Sequence, residues 1–421
     1  MSFPVSAPVI RHSSLDIRHS PLVSVCSEIG RGHPSYLDSV LLALDRLYEG
    51  HDRIRPGGFG SCPERKPKCF TVRELCTGTS GLAWRLARLG FRLGSRGGAA
   101  TWLYNRLRSP DAQPSDLQLS LLGASLRKAF AWYEGICMVD HPLLAQILAP
   151  VCRVAYLHCE IAAPGLAAVP NAWRTFVPLQ ATSLKLQAAG VRPDAITVTG
   201  LVVEPELADV AETAFEARMA RLASDRPLTV GFFASGAEPR PHSSSITAGV
   251  TSVTQAGHKA VLAWGTGMLR ATRVQLALRR QGAVEGSLRV IWGRGRQTST
   301  TAIAGIFPEL DVMVCAAHER TNWAVGLGLP MFALLPNIGP FAADNYAFAS
   351  QQGVCLPLEG TTDAARLGDT IADLRRTGRL AEMARNGWGR HAITGAETTA
   401  RALLSLASPA PDSRQLLQPG R

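Results

Sequence analysis

The residues best suited to chemistry are polar side chains that directly follow short apolar segments. His33 is the first of these, because it follows the glycine-rich turn at 30–32, just after the apolar run Leu22–Cys26. Gly30 and Gly32 let the backbone approach a ligand closely. A neutral histidine can accept a proton from a hydroxyl group near neutral pH, since its ordinary pKa is about 6.5. By themselves these residues favour a helix-capping histidine in a tight turn, and a catalytic base at His33 is the other reading.

A second polar cluster lies at the start of a predicted helix. The apolar segments Asp311–Ala316 and Met331–Leu335 enclose a stretch with helical spacing, and this order is typical of a β-α-β unit. Free backbone N–H groups at the start of such a helix attract a phosphate. The side chains expected around that phosphate are His318, Glu319, Arg320, Thr321 and Asn322.

Two polar residues of the first half are secondary candidates. His158 and Glu160 follow the predicted strand Val151–Leu157. Side chains at the carboxyl end of a parallel strand often face a ligand crevice. Local pairing between the two residues is the other reading.

The elements that must position these residues form two α/β domains. A chain of 421 residues is too long for one typical core and suits two cores of roughly 150 to 200 residues. Apolar strands alternate with helical segments, which indicates mainly parallel sheets. The predicted parts are a flexible tail at 1–20, a first domain at 21–203, a linker at 204–227, a second domain at 228–385, a crossing helix at 386–406 and a flexible tail at 407–421.

Composition limits the partners and the compartment. The 44 Lys and Arg against 33 Asp and Glu give a formal net charge of +11, which favours anionic partners. No nucleic-acid-binding motif accompanies this charge, so nucleic acid is not a predicted partner. The sequence contains no apolar run of about 20 residues that could span a bilayer, and its start lacks the features of a secretory signal. We expect a cytoplasmic protein, either soluble or peripheral on the membrane.

Neither a metal nor a cofactor is predicted. The nine cysteines are scattered through the chain, which is typical of reduced thiols in a cytoplasmic protein. Cys62, Cys69 and Cys76 have no CxxC pair or nearby histidine to complete a zinc site. The sequence also contains no Asp-x-Asp motif that could bind the metal of a metal-dependent transferase.

A basic and aromatic segment at 82–108 is a candidate membrane contact. It contains no acidic residue. Aromatic rings suit the headgroup level of a bilayer, and guanidinium groups suit lipid phosphates. The predicted contacts are Trp84, Arg85, Arg88, Phe91, Arg92 and Trp102. A solvated basic face over ordinary core leucines is the alternative.

Three patterns together resemble the UDP-sugar glycosyltransferases with the GT-B fold, and in particular the monogalactosyldiacylglycerol synthases and the N-acetylglucosaminyltransferase that makes lipid II. The first is Gly-Arg-Gly-His at 30–33 after the first strand. The second is the strand, helix, Gly-Leu-Pro and strand of 311–335, followed by a proline-containing loop that ends at Asn345. The third is the order FVP, helix, AGV and VTG between 176 and 200.

The resemblance implies two Rossmann-like domains that face a central cleft, with the acceptor on the first domain and the nucleotide-sugar on the second. It implies inverting, metal-independent transfer of a sugar from a UDP-sugar to a lipid or lipid-linked acceptor, with an anionic membrane surface as a further partner. His33 would be the base. The implied nucleotide-sugar contacts are Gly30, Gly32, Ser235, Gly236, Trp292, Gly339 and Asn345, together with the five residues at 318–322.

One departure from the family pattern leaves two other functions open. The family carries a donor-binding acid on the helix before Gly-Leu-Pro, where this chain has Trp323, Ala324 and Val325. Glu319 is the nearest acid. A non-catalytic GT-B-like scaffold and a UDP-sugar epimerase are therefore the alternatives to a transferase.

Overall fold

The computed structural model describes residues 17, 20–29, 32–54, 67–94, 96–99, 101–102, 113–236 and 238–407. Within these residues the chain forms two parallel sheets of six strands each, which confirms the predicted α/β class with two Rossmann-like domains. The predicted tails at 1–20 and 407–421 lie almost entirely outside the described residues. The strands are β1 Leu22–Cys26, β2 Lys68–Thr71, β3 Ile136–Val139, β4 Arg153–Leu157, β5 Arg174–Val177, β6 Ile196–Val198, β7 Thr229–Phe233, β8 Lys259–Thr266, β9 Leu288–Gly293, β10 Val312–Cys315, β11 Met331–Leu335 and β12 Cys355–Glu359.

Helices cover the sheets and connect their strands. The described helices are α1 Gly32–Ile54, α2 Val72–Leu75, α3 Gly78–Gly94, α4 Asp116–Phe130, α5 Pro142–Leu148, α6 Gln180–Ala188, α7 Pro205–Asp209, α8 Ala211–Leu222, α9 Arg240–Gln255, α10 Met268–Arg280, α11 Arg296–Ile306, α12 Thr321–Leu327, α13 Ala342–Gln351, α14 Gly360–Ala365, α15 Leu367–Arg376, α16 Arg379–Asn386 and α17 Gly395–Ala407. None of these helices is long and apolar enough to cross a membrane.

The central strands are buried along their whole length and mostly apolar, because both faces of each sheet are covered. Every residue of β1, β7 and β10 is buried. Strands buried on both faces need continuous apolar runs instead of an alternation of apolar and polar residues. This requirement explains why these three strands can be recognised in the sequence.

The strand order places one ligand crevice on each sheet. The first sheet has the order β2-β1-β3-β4-β5-β6, and the second has the order β12-β11-β10-β7-β8-β9. The order reverses beside β1 in the first sheet and beside β7 in the second. Ligands of open α/β sheets bind outside the carboxyl ends of the strands at such a reversal. A ligand is therefore expected at the loops after β1, β3, β7 and β10.

The C-terminal helix α17 returns to the first domain. Its residues Ala396, Ala400 and Leu403 pack in one cluster with Leu37 and Val40 of α1. The chain therefore crosses between the domains a second time after β12. This crossing pairs with the segment after β6, since the Leu201 N–H donates to the Ala392 carbonyl at 2.7 Å and the Gly395 N–H donates to the Leu201 carbonyl at 3.0 Å.

One of the predicted membrane contacts is buried and two others are half-buried. Trp84 is 1% exposed, and its indole N–H donates a hydrogen bond to the Leu122 carbonyl at 3.0 Å. Arg88 forms an ion pair with Glu28 at 2.8 Å, and Phe91 packs against the core of the first domain. The prediction is therefore wrong for Trp84, because α3 turns this side towards the sheet, and it stays a prediction for Arg88 and Phe91, which are half-buried.

Candidate functional site

The first domain contributes two histidines at its crevice. His33 lies in the first turn of α1, directly after the loop that leaves β1. His141 caps α5, directly after β3. Their ring centroids are 5.1 Å apart in an edge-to-face arrangement. The neighbouring Asp140 is buried and accepts a hydrogen bond from the Ser27 backbone N–H at 3.0 Å, so the two loops are fixed to each other.

His33 faces the opposite domain. Its ring centroid lies 5.4 Å from that of Phe341, which belongs to the loop after β11. Gly32 is also close to the second domain, since an added Cβ there would lie 3.0 Å from Glu319 Oε2. A side chain at 32 would therefore press on the end of the Glu319 side chain. Gly30, the other predicted glycine of the turn, lies outside the described residues.

Glu160 is a buried acid at this junction. It lies three residues beyond β4, and its carboxylate accepts a hydrogen bond from Asn345 Nδ2 at 2.9 Å. Burial raises the pKa of Glu160 to about 8, with a further rise from the charge of Glu319 and an opposing effect from the Asn345 bond. The carboxyl group is therefore protonated and neutral at pH 7.

Asn345 connects the two domains. Besides Glu160, its Nδ2 donates to the Ala317 carbonyl at 3.2 Å, and its Oδ1 accepts from the Ala162 N–H at 2.9 Å. The side chain is fully buried, so both amide hydrogens are engaged within the protein. In this arrangement Asn345 positions the loops and has no hydrogen left to donate to a ligand.

The start of α12 does not offer the free N–H groups that the sequence predicted. The N–H groups of residues 321, 322 and 323 donate to the carbonyls of residues 318, 319 and 320 at 2.9, 3.2 and 2.9 Å. Thr321 and Asn322 are buried, and Asn322 donates from Nδ2 to the Val202 carbonyl at 2.9 Å. The expectation of a phosphate on free N–H groups here is corrected, because a tight turn satisfies those groups.

Arg320 is the cation that remains at this edge. Its guanidinium pairs with Glu319 at 2.7 Å and lies over the rings of Phe233 and Trp323, at 4.8 and 5.2 Å from their centroids. Its Nε–H has no hydrogen-bond partner among the described residues. The contacts hold this planar group in one orientation, with Nε buried and the side chain as a whole 19% exposed at the edge of the sheet.

The other predicted contacts of the second domain lie at the same edge of the sheet. Ser235 is half-buried and Gly236 is exposed, just after β7, and Trp292 is partly exposed near the end of β9. His318 is half-buried, and burial lowers its pKa. Gly339 has a φ of +90°, and a Cβ added there would lie 3.6 Å from the His318 ring.

His158, a secondary candidate, is a structural histidine in this fold. Its Nδ1 is 3.1 Å from the Tyr156 hydroxyl and its Nε2 is 3.0 Å from the Ala162 carbonyl. Burial lowers its pKa to about 4. Both ring nitrogens are therefore occupied, and the residue supports the loop that carries Glu160.

The sequence reasoning missed His141 and Phe341. His141 follows β3 in the pattern Val-Asp-His-Pro, which marks the end of a strand and the start of a helix. This pattern places His141 near His33 only when β3 is known to lie beside β1, and the strand order cannot be read from the pattern itself. Phe341 follows a proline in a loop, and nothing in its sequence context indicates that it would meet His33.

The site can therefore perform acid–base chemistry on a ligand between the domains. A partly exposed histidine faces the opposite domain, a neutral carboxyl group lies behind it, and an oriented guanidinium lies on the second domain. In the described part of the chain, no group of three or more His, Cys, Asp or Glu residues is arranged to hold a metal ion.

Two Rossmann-like domains with their crevices turned towards each other define the GT-B fold. The UDP-GlcNAc 2-epimerase of Neisseria meningitidis bound to UDP-GlcNAc has a similar structure, with a TM-score of 0.54, 11% identity, and coverage of 91% of this chain and 99% of that chain. The S. aureus MnaA structure with UDP gives a TM-score of 0.50 and 9% identity, and the match covers 89% and 94% of the two chains. UGT89C1 of Arabidopsis thaliana with UDP gives 0.47 and 10%, with coverage of 92% and 99%. No family model matches the chain, and no curated protein matches it.

Proposed function

We propose that this chain is a GT-B enzyme that transfers a sugar from a UDP-sugar to a lipid or lipid-linked acceptor, with inversion and without a metal ion. The observation that carries the proposal is the position of His33, whose ring lies 5.4 Å from Phe341 of the opposite domain. A base in that position reaches an acceptor bound between the domains.

The proposed reaction is a single displacement. His33 accepts the proton of the acceptor hydroxyl as its oxygen attacks the anomeric carbon, and the bond from that carbon to the UDP oxygen breaks. The electron pair of that bond leaves with UDP. Attack from the face opposite UDP inverts the anomeric centre.

Arg320 would stabilise the departing diphosphate. Its side chain is 19% exposed at this edge of the second domain, and hydrogen bonds between a guanidinium and a phosphate are among the strong ones. The neutral state of Glu160 supports this role, because burial raises its pKa to about 8. An ionised carboxylate in that place would repel the diphosphate.

A lipid acceptor is supported by the surface of the first domain. Leu82, Leu86, Leu89 and Leu93 of α3 are all exposed, and no acidic residue lies between 75 and 110. An exposed apolar surface with basic neighbours suits an anionic lipid interface.

His33→Ala tests the assigned base. General-base catalysis contributes about 10²- to 10⁴-fold, so we expect UDP release from UDP-hexoses in the presence of mixed lipid vesicles to fall by that factor. UDP affinity, measured by calorimetry, should not change. His258→Gln is the control, since this histidine directly precedes β8 and so lies at the amino ends of the strands of the second sheet, away from the carboxyl ends that form the site. Unchanged turnover in His33→Ala would remove the base from the mechanism.

A UDP-sugar epimerase is the second candidate, and the similarity to the UDP-GlcNAc 2-epimerase of Neisseria meningitidis, with a TM-score of 0.54, favours it. Inversion at C2 replaces the C2 hydrogen, whereas transfer leaves it in place. Incubation with UDP-GlcNAc alone in D2O separates the two reactions by mass spectrometry and NMR. Deuterium at C2 without any acceptor identifies the epimerase, and acceptor-dependent UDP release without deuterium identifies the transferase.

A further inference from the structure

Helix α3 presents an apolar stripe to solvent. Leu82, Leu86, Leu89 and Leu93 are between 43 and 59% exposed. Their spacing of four, three and four residues places them on one side of the helix. Trp84 points into the core on the other side of the helix. The stripe is therefore a surface feature that the fold of the first domain does not use.

The surroundings of the stripe are basic. Arg85 and Arg92 of α3 are exposed, and so is Arg96 just beyond it. Trp102 is 61% exposed. The absence of any acidic residue between 75 and 110 means that no charge of the same segment offsets the arginines.

A second apolar patch lies on the other domain, at the start of α10. Met268 and Leu269 are exposed there, Leu269 to 72%. Together with Arg270 and Arg273 they line an open depression of about 560 Å³. Helix α10 itself contains no acidic residue, but its Arg270 pairs with Glu238. This patch therefore shares the apolar character of the stripe on α3 and carries less unpaired positive charge.

The elements that carry the two patches are connected by contacts across the junction of the domains. The Arg96 carbonyl, two residues beyond α3, accepts a hydrogen bond from the Arg240 N–H at 3.0 Å. Glu238, two residues earlier in the chain, forms an ion pair with Arg270 in the first turn of α10. A short series of contacts therefore connects the end of the stripe with the start of the second patch, across the junction of the domains.

We propose that the α3 stripe and the Met268–Leu269 patch together form a docking face for an anionic lipid bilayer, contacted by both domains. Exposed leucines, a tryptophan and the exposed arginines on and just beyond α3 match the apolar boundary and the phosphate layer of such a bilayer. This proposal deepens the proposed function and rests on it, because a lipid acceptor would enter the protein from this face. Binding to the bilayer itself requires no nucleotide.

Vesicle co-sedimentation tests the docking face. The wild-type chain should bind vesicles that contain phosphatidylglycerol more tightly than vesicles of phosphatidylcholine alone, and binding should weaken as salt rises. The paired variants Leu86→Ser/Leu89→Ser and Met268→Ser/Leu269→Ser should each lower the affinity about tenfold, because each removes two side chains from the apolar boundary. Leu184→Ser is the matched control, since Leu184 is equally exposed on α6, whose Lys185 pairs with Asp344.

Three results would overturn the inference. The first is no binding of the wild-type chain to phosphatidylglycerol vesicles. The second is full binding by either paired variant, which would exclude a face shared by both domains. The third is a dimer in light scattering that Leu86→Ser/Leu89→Ser dissociates, because a second copy would then cover the stripe. UDP calorimetry without lipid shows separately whether the nucleotide site exists.

Discussion

Replacing Glu160 with glutamine should make the free energy of unfolding less dependent on pH. Burial is the main cause that raises the pKa of Glu160 from 4.5 to about 8, with the charge of Glu319 adding to it. A tenfold change in a proton equilibrium corresponds to about 1.4 kcal/mol. Ionising Glu160 in the folded protein therefore costs on the order of 5 kcal/mol in total, and keeping it protonated at pH 7 costs about 3 kcal/mol relative to the unfolded chain.

The sign follows from which state holds the proton. Between pH 4.5 and 8 the folded protein keeps the proton of Glu160, while the unfolded chain has released it. Stability is therefore greatest below pH 4.5 for this group, falls as pH rises through this window, and stops falling above pH 8. Glutamine cannot ionise, and its oxygen can still accept the hydrogen bond from Asn345.

Urea unfolding of the wild-type chain and Glu160→Gln at pH 5, 7 and 9 is the assay. We expect the free energy of unfolding of the variant to exceed that of the wild type by several kcal/mol more at pH 9 than at pH 5. Glu212→Gln, on the exposed side of α8, should show no such change. A Glu160→Gln variant with the same pH dependence as the wild type would refute the buried, neutral acid.

Three further predictions concern individual side chains. Trp84→Ala should lower the free energy of unfolding by about 3 to 5 kcal/mol, as for other buried aromatic residues, whereas the exposed Arg85→Ala should stay within about 0.5 kcal/mol; equal urea midpoints would place Trp84 outside the core. Asn345→Leu should lower the free energy of unfolding by about 3 kcal/mol, because it leaves the Glu160 carboxyl and the Ala162 N–H without this partner. Limited proteolysis should then cleave the chain between the domains faster, and an unchanged cleavage rate would contradict the bridging role. Arg320→Met should weaken UDP binding about tenfold in calorimetry, since a charge-assisted hydrogen bond contributes about 1.5 to 3 kcal/mol. Arg289→Met is the control, because Arg289 is exposed and pairs with Glu309, and it should leave UDP affinity unchanged. Unchanged affinity in Arg320→Met would show that Arg320 is not part of the donor site.

Much of the fold could be predicted because the central strands carry their own signal. The sequence placed β1 and β11 at the bounds that the structure gives them, since continuous apolar runs between turn residues leave few other readings. The β-α-β unit around α12 is also present, and its helix ends at Gly328, which adopts the left-handed conformation expected of a C-cap.

The site was harder to predict because it depends on contacts between distant segments. The free N–H groups expected at α12 are bonded to the preceding turn, and spacing alone cannot distinguish an open helix start from one closed by a tight turn. Trp84 was assigned to the wrong side of α3, because a segment of interspersed arginines and aromatic residues does not determine which side of the helix packs against the sheet. His141 reaches His33 only through the order of strands in the first sheet.

Calorimetric titration of the wild-type chain with UDP, alongside GDP and NAD, tests the central claim most directly. The claim is that the cleft between the domains is a UDP-sugar site with His33 on one side and Arg320 on the other. It predicts saturable binding of one UDP per chain and no binding of NAD. A flat titration with UDP, or equal binding of NAD, would contradict it.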